Sequence, residues 1–158
     1  MGGLSNDYVE NLMYSISINP QSFKGVKPCD LFHDFIEKHH HQLKSGDCFI
    51  INLSSSNHGG SHFVCLMINS KNRAEYFDSY GLHYSLDSNI DKALKFAKLK
   101  TTIFEKSIQD FSSQFCGLYC SKCKQFIQNK ISHVSELFFS KLSKRGTELL
   151  LSDFFKSY

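Results

Sequence analysis

The sequence predicts an α+β domain in which helices at both ends of the chain surround a small, mostly antiparallel sheet. Two apolar runs of strand length, 47–54 and 62–69, lie in the first half of the chain. Helical patterns flank the strand region at 5–15, 28–42, 132–143 and 147–157. This segregation of strands and helices favours an α+β arrangement over alternating β–α units.

Length and composition fit one compact unit. The chain has 158 residues, a length typical of one domain, and we assign residues 1–158 to it. Its formal charge of +3 is too small to predict a nucleic-acid binder, and no apolar run approaches the length that spans a membrane. The N-terminus lacks the basic and apolar regions of a secretory signal. We therefore expect an intracellular monomer without membrane contacts.

Six cysteines raise the question of disulfides or thiol chemistry. Without a secretory signal, free thiols in a reducing compartment are the default. Cys48 and Cys65 lie inside apolar runs, which is typical of buried cysteines that act as small hydrophobic residues. The chemical question therefore concerns Cys116, Cys120 and Cys123.

The elements along the chain have distinct signals. Pro28 suits the first turn of the helix at 28–42. The two apolar runs do not alternate with polar residues, which indicates central strands buried on both faces. A third strand at 73–78 follows across the turn at 70–72, which favours an antiparallel hairpin. The remaining predicted elements are a helix at 86–98 with Ala93, Leu94 and Ala97 inward, a strand at 101–105, and a helix from Cys116 to about Asn129.

A histidine and an acid fall at one end of the predicted hairpin. His62 follows two glycines and begins the second strand, while Asp78 ends the third. If these strands pair, the carboxylate reaches the imidazole, where it can fix the tautomer and stabilise the imidazolium. Taken singly, each residue has a simpler explanation: His62 is one of eight histidines, and Asp78 starts a turn.

Gln109 precedes Cys116 by seven residues, within a polar loop at 107–115. A glutamine amide can donate a hydrogen bond to a developing oxyanion without changing its own charge. Gln114 competes for this role, but it lies too close to Cys116 in sequence to reach around a cleft easily. A solvated loop residue is the simpler explanation of Gln109 alone.

Cys116 opens a predicted helix that is apolar on one side. A thiolate there is stabilised by the helix dipole and by exposed N–H groups, and a nearby imidazolium stabilises it further. Gly117 would let a substrate carbonyl approach the backbone N–H of Cys116. A buried helical cysteine describes Cys120 and Cys123 well, but it fits Cys116 poorly because Cys116 follows a polar loop.

In their order and spacing, these segments resemble the adenovirus-protease (adenain) family. Residues 50–52 and 59–63 are similar to its Ile-Val-Asn strand and the Gly-Gly-Val-His-Trp that follows. Residues 76–81 resemble its Leu-Phe-Glu-Pro-Phe-Gly acid segment. The third similar stretch, 104–120, matches its Leu-Glu-Lys-Ser, its oxyanion-hole Gln and its Cys-Gly-Leu-Phe-Cys. The resemblance covers roughly residues 47–127.

The resemblance implies a papain-like fold in circularly permuted order, with a mixed sheet, flanking helices and the nucleophile on a central helix. It implies a thiol protease with His62 as base, Asp78 as its orienting acid, Gln109 as oxyanion donor and Cys116 as nucleophile. By the same analogy, the substrates are precursor proteins of a virus or virus-like particle, cut near glycine residues. Such an enzyme would act in the host cytoplasm or nucleus or be packaged in virions.

Several positions depart from the family pattern. Phe63 stands where the family usually has Trp, and Asp78 stands where adenain has Glu, as in the SUMO and ubiquitin-like proteases of the same clan. Adenovirus proteases attach an activating peptide through a cysteine, but Thr101 lies at that position and no cysteine lies between Cys65 and Cys116. The missing cysteine argues against activation by that covalent route. By family analogy, the resemblance implies no resident cofactor or metal, and a peptide or DNA as activator. The basic residues available to a weak DNA contact, or to a solvated helix face, are Lys141, Lys144 and Arg145.

Three other interpretations stay open: a metal or cluster protein, a deconjugating protease and an inactive binding module. The three cysteines from Cys116 to Cys123 match a pattern of iron–sulfur enzymes, although their spacing also fits one helix face. The histidines at 39–41 fit either a metal site or a polar helix end. A deconjugating protease for ubiquitin-like proteins would keep the chemistry and change the substrate. A catalytically inactive binding module would keep only the fold, and the presence of all four expected side chains argues against it.

Overall fold

The computed structural model describes residues 4–16, 19–58, 61–109, 114 and 116–121. The helices are α1 (Asn6–Ile16), α2 (Cys29–His39) and α3 (Ser88–Phe96), and residues 116–121 are also helical. The strands are β1 (Phe23–Pro28), β2 (Cys48–Asn52), β3 (Phe63–Ser70), β4 (Arg73–Phe77) and β5 (Lys100–Phe104). Outside the described residues lie the predicted helices at 132–143 and 147–157, the predicted helical residues after 121, and Lys141, Lys144 and Arg145.

The five strands form one mixed sheet in chain order, β1-β2-β3-β4-β5. Antiparallel pairing joins β2 to β3 and β3 to β4. The outer strands β1 and β5 pair in parallel with their neighbours. This mixed sheet, with helices packed around it, confirms the predicted α+β class. The sheet is less antiparallel than predicted, because two of the four pairings among the described strands are parallel.

The edge strand β1 is the element that the sequence did not reveal. It contains Gly25 in the left-handed region at a φ of 91° and ends at Pro28. Its register with β2 shifts between Phe23 and Val26. Glycine and proline weaken strand patterns, and a bulge removes the regular alternation of side chains. An edge strand of this composition therefore carries little periodic signal.

Both faces of the sheet are covered, and the central strands are buried on both sides, as predicted. One face carries Phe63 and Cys65 and packs against α1 and residues 116–121. The opposite face carries Val64 and packs against α2 and α3. Cys48 and Cys65 are 1% and 0% exposed, which confirms the expectation that they are buried.

The helices lie within a few residues of their predicted positions. α3 begins later than the predicted 86–98 because Asp87 caps it, accepting two backbone N–H groups of its first turn. Ala93 and Leu94 are buried, as predicted, and Ala97 is partly buried. Within the part of the chain that the structure describes, no helix is both long enough and apolar enough to cross a membrane.

The β3–β4 hairpin is antiparallel, as predicted. Cys65 lies opposite Phe77, so His62, directly before β3, and Asp78, directly after β4, lie at the same end of the two strands. Parallel pairing of Phe77 with Phe104 brings the end of β5 there as well. His62, Asp78 and the segment after β5 therefore leave the sheet side by side.

Gly81 lets the loop after β4 approach the segment after β5. Its φ is 73°, and its N–H donates to the Asp78 carbonyl at 2.9 Å. A Cβ at this position would lie 2.8 Å from the backbone nitrogen of Ser107 and 2.9 Å from the carbonyl oxygen of Glu105. A side chain would force the two loops apart, so this contact requires glycine.

Gly81→Ala is expected to destabilise the fold more than Gly46→Ala does. Both glycines have positive φ, but a Cβ at Gly46 meets no atom within 4 Å, so Gly81→Ala alone adds a backbone clash. Left-handed strain by itself costs about 1–2 kcal/mol. Urea unfolding measures the two losses, and equal losses of the free energy of unfolding would contradict the close approach of the loops.

Candidate active site

His62 lies directly before β3 and is anchored by the backbone. Its carbonyl accepts the N–H of Leu53 at 2.8 Å, which ties it to the end of β2. Its side chain is 12% exposed. The imidazole is therefore held at the start of a buried strand. A small part of it still reaches solvent.

Asp78 directly follows β4 and is fully buried. Its Oδ1 accepts a hydrogen bond from His62 Nε2 at 2.8 Å and a second one from the backbone N–H of Tyr80 at 2.7 Å. An ionised carboxylate only accepts hydrogen bonds, so Nε2 carries the hydrogen in this contact. The carboxylate thereby fixes the orientation of the ring.

Two buried polar atoms of this pair have no hydrogen-bond partner among the residues that the structure describes, namely His62 Nδ1 and Asp78 Oδ2. Buried polar atoms are nearly always satisfied, so exceptions often mark functional groups. Nδ1 is the ring nitrogen that Asp78 does not engage. It is therefore the nitrogen able to exchange a proton with a reacting group.

The surroundings raise the pKa of His62 to about 9. Burial is the largest single influence and opposes protonation. The hydrogen bond and charge of Asp78, together with the interaction with Cys116, outweigh it. The ring is therefore an imidazolium at neutral pH, beside the sulfur of Cys116.

Cys116 lies against the first residue of β3. Its Sγ accepts the backbone N–H of Phe63 at 3.4 Å. The expectation that a buried helical cysteine describes Cys116 poorly is wrong, because Cys116 and Cys120 are both buried, at 4% and 0% exposed. Their partners differ instead, since Cys120 donates its S–H to the Phe63 carbonyl at 3.2 Å. An N–H donor suits a thiolate, whereas a carbonyl acceptor requires a protonated thiol.

Gly117 brings two helices together. A Cβ at this position would lie 2.9 Å from Val9 and 3.1 Å from Leu4, on and beside α1. The absence of a side chain therefore lets α1 pack against residues 116–121. This contact explains the glycine, and its role in the approach of a substrate stays a prediction.

The cysteines that the structure describes are not arranged as metal or cluster ligands. They are all buried free thiols, and Cys116 and Cys120 contact opposite groups of Phe63. Cys123 lies outside the described residues. The histidines at 39–41 do not converge either. Within the described ranges, the three side chains whose ligand atoms do converge are His33, Asp34 and Glu37 on α2.

Gln109 is fully buried in the loop after β5, so it is not the solvated residue that its sequence context allowed. Its backbone N–H donates to the Ser79 carbonyl at 3.0 Å. Its side-chain Oε1 accepts the Ser79 hydroxyl, and its Nε2 donates to the Tyr80 hydroxyl at 3.4 Å. The competing residue Gln114 is exposed. Gln109 is thus tied to the loop that carries Asp78.

Tyr80 is the residue of this site that sequence reasoning missed. Its ring stacks on the His62 imidazole with centroids 4.4 Å apart and an interplanar angle of 21°. An aromatic face beside an imidazolium adds cation–π attraction. The available signal was an aromatic residue two positions after the candidate acid. Loops carry such residues for many reasons, so the signal was weak.

The structure brings the four candidate residues to the end of the sheet where β3 begins and β4 and β5 end. His62 and Asp78 come from the β3–β4 hairpin, Cys116 packs against the start of β3, and Gln109 joins through the loop at 79–80. A buried imidazolium beside a sulfur that receives an N–H bond can hold a thiolate and transfer a proton. This is the chemistry of nucleophilic acyl transfer.

Comparison with known proteins supports the fold but does not identify a family. No family model matches the chain, and a search of curated proteins finds no relative. A structure of an AvrA deletion variant with IP6 and CoA is similar to 78% of the chain, at 18% identity and a TM-score of 0.57. The central domain of the uncharacterized Lpg1148 protein from Legionella pneumophila is similar to 99% of it, at 11% identity and a TM-score of 0.58.

These matches concern the fold, because the identities are low. The chain spans about half of the AvrA chain, 48%, and almost all of the Lpg1148 domain, 98%. The fold of AvrA is papain-like, and the likeness to it confirms the predicted fold class. Neither structure is an adenovirus protease, so the resemblance to that family within the clan stays a prediction.

Asp78→Asn is expected to lower the pKa of His62 from about 9, with only the interaction with Cys116 left to oppose burial. The substitution removes the negative charge that favours the imidazolium, while the burial that opposes it remains. Histidine NMR titration of both proteins measures the change. A His62 that still titrates near its wild-type pKa would contradict the role of the carboxylate.

The same shift predicts the pH dependence of stability. Because the folded pKa of His62 is raised above the unfolded value, its stabilisation is fully present below pH 6.5 and is lost as the pH rises through about 9. Wild type should therefore lose more free energy of unfolding than Asp78→Asn across this window. Urea unfolding at both ends of this pH window measures the losses. Equal losses of the free energy of unfolding in the two proteins would contradict the coupling between Asp78 and His62.

Proposed function

We propose that the chain is a cysteine endopeptidase in which Cys116 attacks a peptide carbonyl and His62 transfers the proton. The observation that carries the proposal is the buried 2.8 Å hydrogen bond between His62 and Asp78, next to a sulfur that contacts the strand residue after His62. The fold shared with AvrA supports it, since that fold belongs to a clan of thiol enzymes.

In the first half-reaction, the Cys116 thiolate attacks the carbonyl carbon of the substrate. A C–S bond forms and the carbonyl electron pair moves onto oxygen. The C–N bond then breaks as His62 Nδ1 donates its proton to the leaving amine. Asp78 keeps the ring oriented and stabilises its charged form throughout. The products are a thioester on Cys116, a free amine and a neutral His62.

In the second half-reaction, neutral His62 accepts a proton from water as the water oxygen attacks the thioester. The C–S bond breaks, a carboxylic acid leaves, and the thiolate–imidazolium pair is restored. Each half-reaction passes through an oxyanion. We assign its stabilisation to the side-chain amide of Gln109 together with the backbone N–H of Cys116.

The substrate class is proposed from the resemblance to adenovirus proteases. It consists of precursor structural proteins of a virus or virus-like particle, cut near glycine residues by an intracellular monomer. A peptide or weakly bound DNA would be the activator. A deconjugating protease would use the same site on the tails of ubiquitin-like proteins. Mass-spectrometric mapping of cut sites separates the two, because only the first substrate class is cut inside its own chain.

A second candidate follows from the likeness to AvrA, whose structure contains CoA. An acyltransferase would use the same nucleophile. The Cys116 thiolate would attack an acyl-CoA thioester, release CoA as a thiol and pass the acyl group to a protein nucleophile. Intact-mass analysis after incubation with acetyl-CoA tests this reaction. An acetyl adduct that disappears in Cys116→Ala favours acyl transfer, whereas peptide hydrolysis without such an adduct favours the endopeptidase.

Cys116→Ala is expected to abolish peptide hydrolysis and labelling of the reactive thiol, because it removes the nucleophile. Cys120→Ala is the matched control, since that residue lies on the same helix and contacts the other side of Phe63. It should leave both activities largely intact. Peptide mapping of the labelled protein identifies the modified residue. Residual cleavage by Cys116→Ala would overturn the assignment.

Gln109→Ala is expected to lower kcat by roughly 10²–10³, the usual effect of losing one oxyanion donor. Gln114→Ala is its control, because this exposed glutamine precedes Cys116 in the same loop. Steady-state kinetics on a peptide substrate compare the two. A wild-type rate in Gln109→Ala with a loss in Gln114→Ala would transfer the role to Gln114.

A further inference from the structure

The tripeptide 78–80 contacts both chemical halves of the candidate site. Asp78 holds His62 through a hydrogen bond of 2.8 Å, and the Tyr80 ring stacks on a face of the same imidazole with ring centroids 4.4 Å apart. The backbone N–H of Tyr80 donates to Asp78 Oδ1 at 2.7 Å, which makes the turn rigid. The base is therefore oriented by two neighbouring residues of one short loop.

Ser79 directs the same loop toward Gln109. Ser79 is fully buried, and its carbonyl accepts the N–H groups of Ile108 and Gln109 at 2.9 and 3.0 Å. Its hydroxyl donates to Gln109 Oε1. Two backbone bonds and one side-chain bond thus join this residue to the segment that carries the proposed oxyanion donor.

The contacts of Ser79 and Tyr80 fix where the Gln109 amide lies. The Ser79 hydroxyl donates to the amide oxygen, while the Tyr80 hydroxyl accepts from the amide nitrogen at 3.4 Å. Each end of the amide is thus held by one hydroxyl. The burial of Gln109 keeps water from replacing either partner.

We infer that Ser79 and Tyr80 are positioning residues that couple the base to the oxyanion donor: Ser79 orients the amide of Gln109, and Tyr80 orients both that amide and the imidazolium of His62. The inference rests on the proposed function, in which Gln109 stabilises the oxyanion. Correct placement of a hydrogen-bond donor matters because a displacement of about 1 Å can lower a rate by roughly 10²-fold.

The two parts of the inference can be measured separately. Alkylation of Cys116 by iodoacetamide forms a C–S bond and expels iodide from a saturated carbon, so it needs the thiolate but produces no oxyanion. Peptide hydrolysis needs both the thiolate and the stabilisation of an oxyanion. A change that disturbs only Gln109 should therefore lower kcat and leave the alkylation rate unchanged.

Ser79→Ala is expected to lower kcat by about 10- to 100-fold, less than the loss of Gln109 itself, with unchanged KM and unchanged alkylation of Cys116. Ser22→Ala is the matched control. It removes another buried serine hydroxyl, which donates to the Asn19 carbonyl at 2.8 Å, outside the site. In a Gln109→Ala background, Ser79→Ala should cost nothing further, because its effect passes through Gln109. Equal effects in both backgrounds would indicate a purely structural role.

Two substitutions separate the functions of Tyr80. Tyr80→Phe keeps the ring on His62 and removes the hydroxyl, so kcat should fall while the pH profile of alkylation stays in place. Tyr80→Leu also removes the stacking, so the pKa of His62, measured by histidine NMR titration, should fall below its wild-type value of about 9. An unchanged His62 pKa in Tyr80→Leu would overturn this role.

A readout without turnover distinguishes failure of this inference from failure of the proposed function. The side-chain amide resonances of Gln109 can be assigned by their loss in Gln109→Ala. Ser79→Ala should shift them and speed their exchange with water. Unchanged resonances would overturn the positioning role, whatever the activity. Shifted resonances in a protein without Cys116-dependent turnover would overturn the proposed function instead.

Discussion

The antiparallel pairing of β3 with β4 is the constraint on which the candidate site depends. This pairing brings the residue before one strand next to the residue after the other, where His62 and Asp78 form their 2.8 Å bond. A slip of one residue would turn every side chain of the strand to the opposite face and separate the pair. Since β3 is packed between helices on both faces, its hydrophobic core specifies this register strongly.

Asp78 and the buried surroundings determine the acid–base chemistry of His62. A buried imidazole resists protonation, but the charge and hydrogen bond of Asp78 reverse this tendency and raise the pKa of His62 to about 9. Phe63, the first residue of β3, contacts two buried sulfurs through different backbone groups. The N–H of Phe63 faces Cys116, while its carbonyl faces Cys120. One strand therefore supports the base and supplies a different partner to each thiol.

The parts of this arrangement that could be predicted are those with a local signal. The apolar runs of β2 and β3 and the turn between β3 and β4 place His62 and Asp78 together. β1 could not be predicted, because Gly25, Pro28 and a register shift remove its periodicity. The burial of Gln109 and its contacts with the loop at 79–80 arise from parallel pairing of β4 with β5, which joins segments far apart in sequence. Such a long-range contact leaves no local pattern in the sequence.

In the proposed mechanism His62 maintains Cys116 as a reactive thiolate, and the pH dependence of iodoacetamide alkylation tests this role most directly. Mass spectrometry would follow modification of Cys116 in wild type and in His62→Ala. Wild type is expected to react readily at neutral pH, whereas the variant should react appreciably only in more alkaline solution, because it lacks the imidazolium that stabilises the thiolate. Superimposable pH profiles for the two proteins would contradict this role of His62.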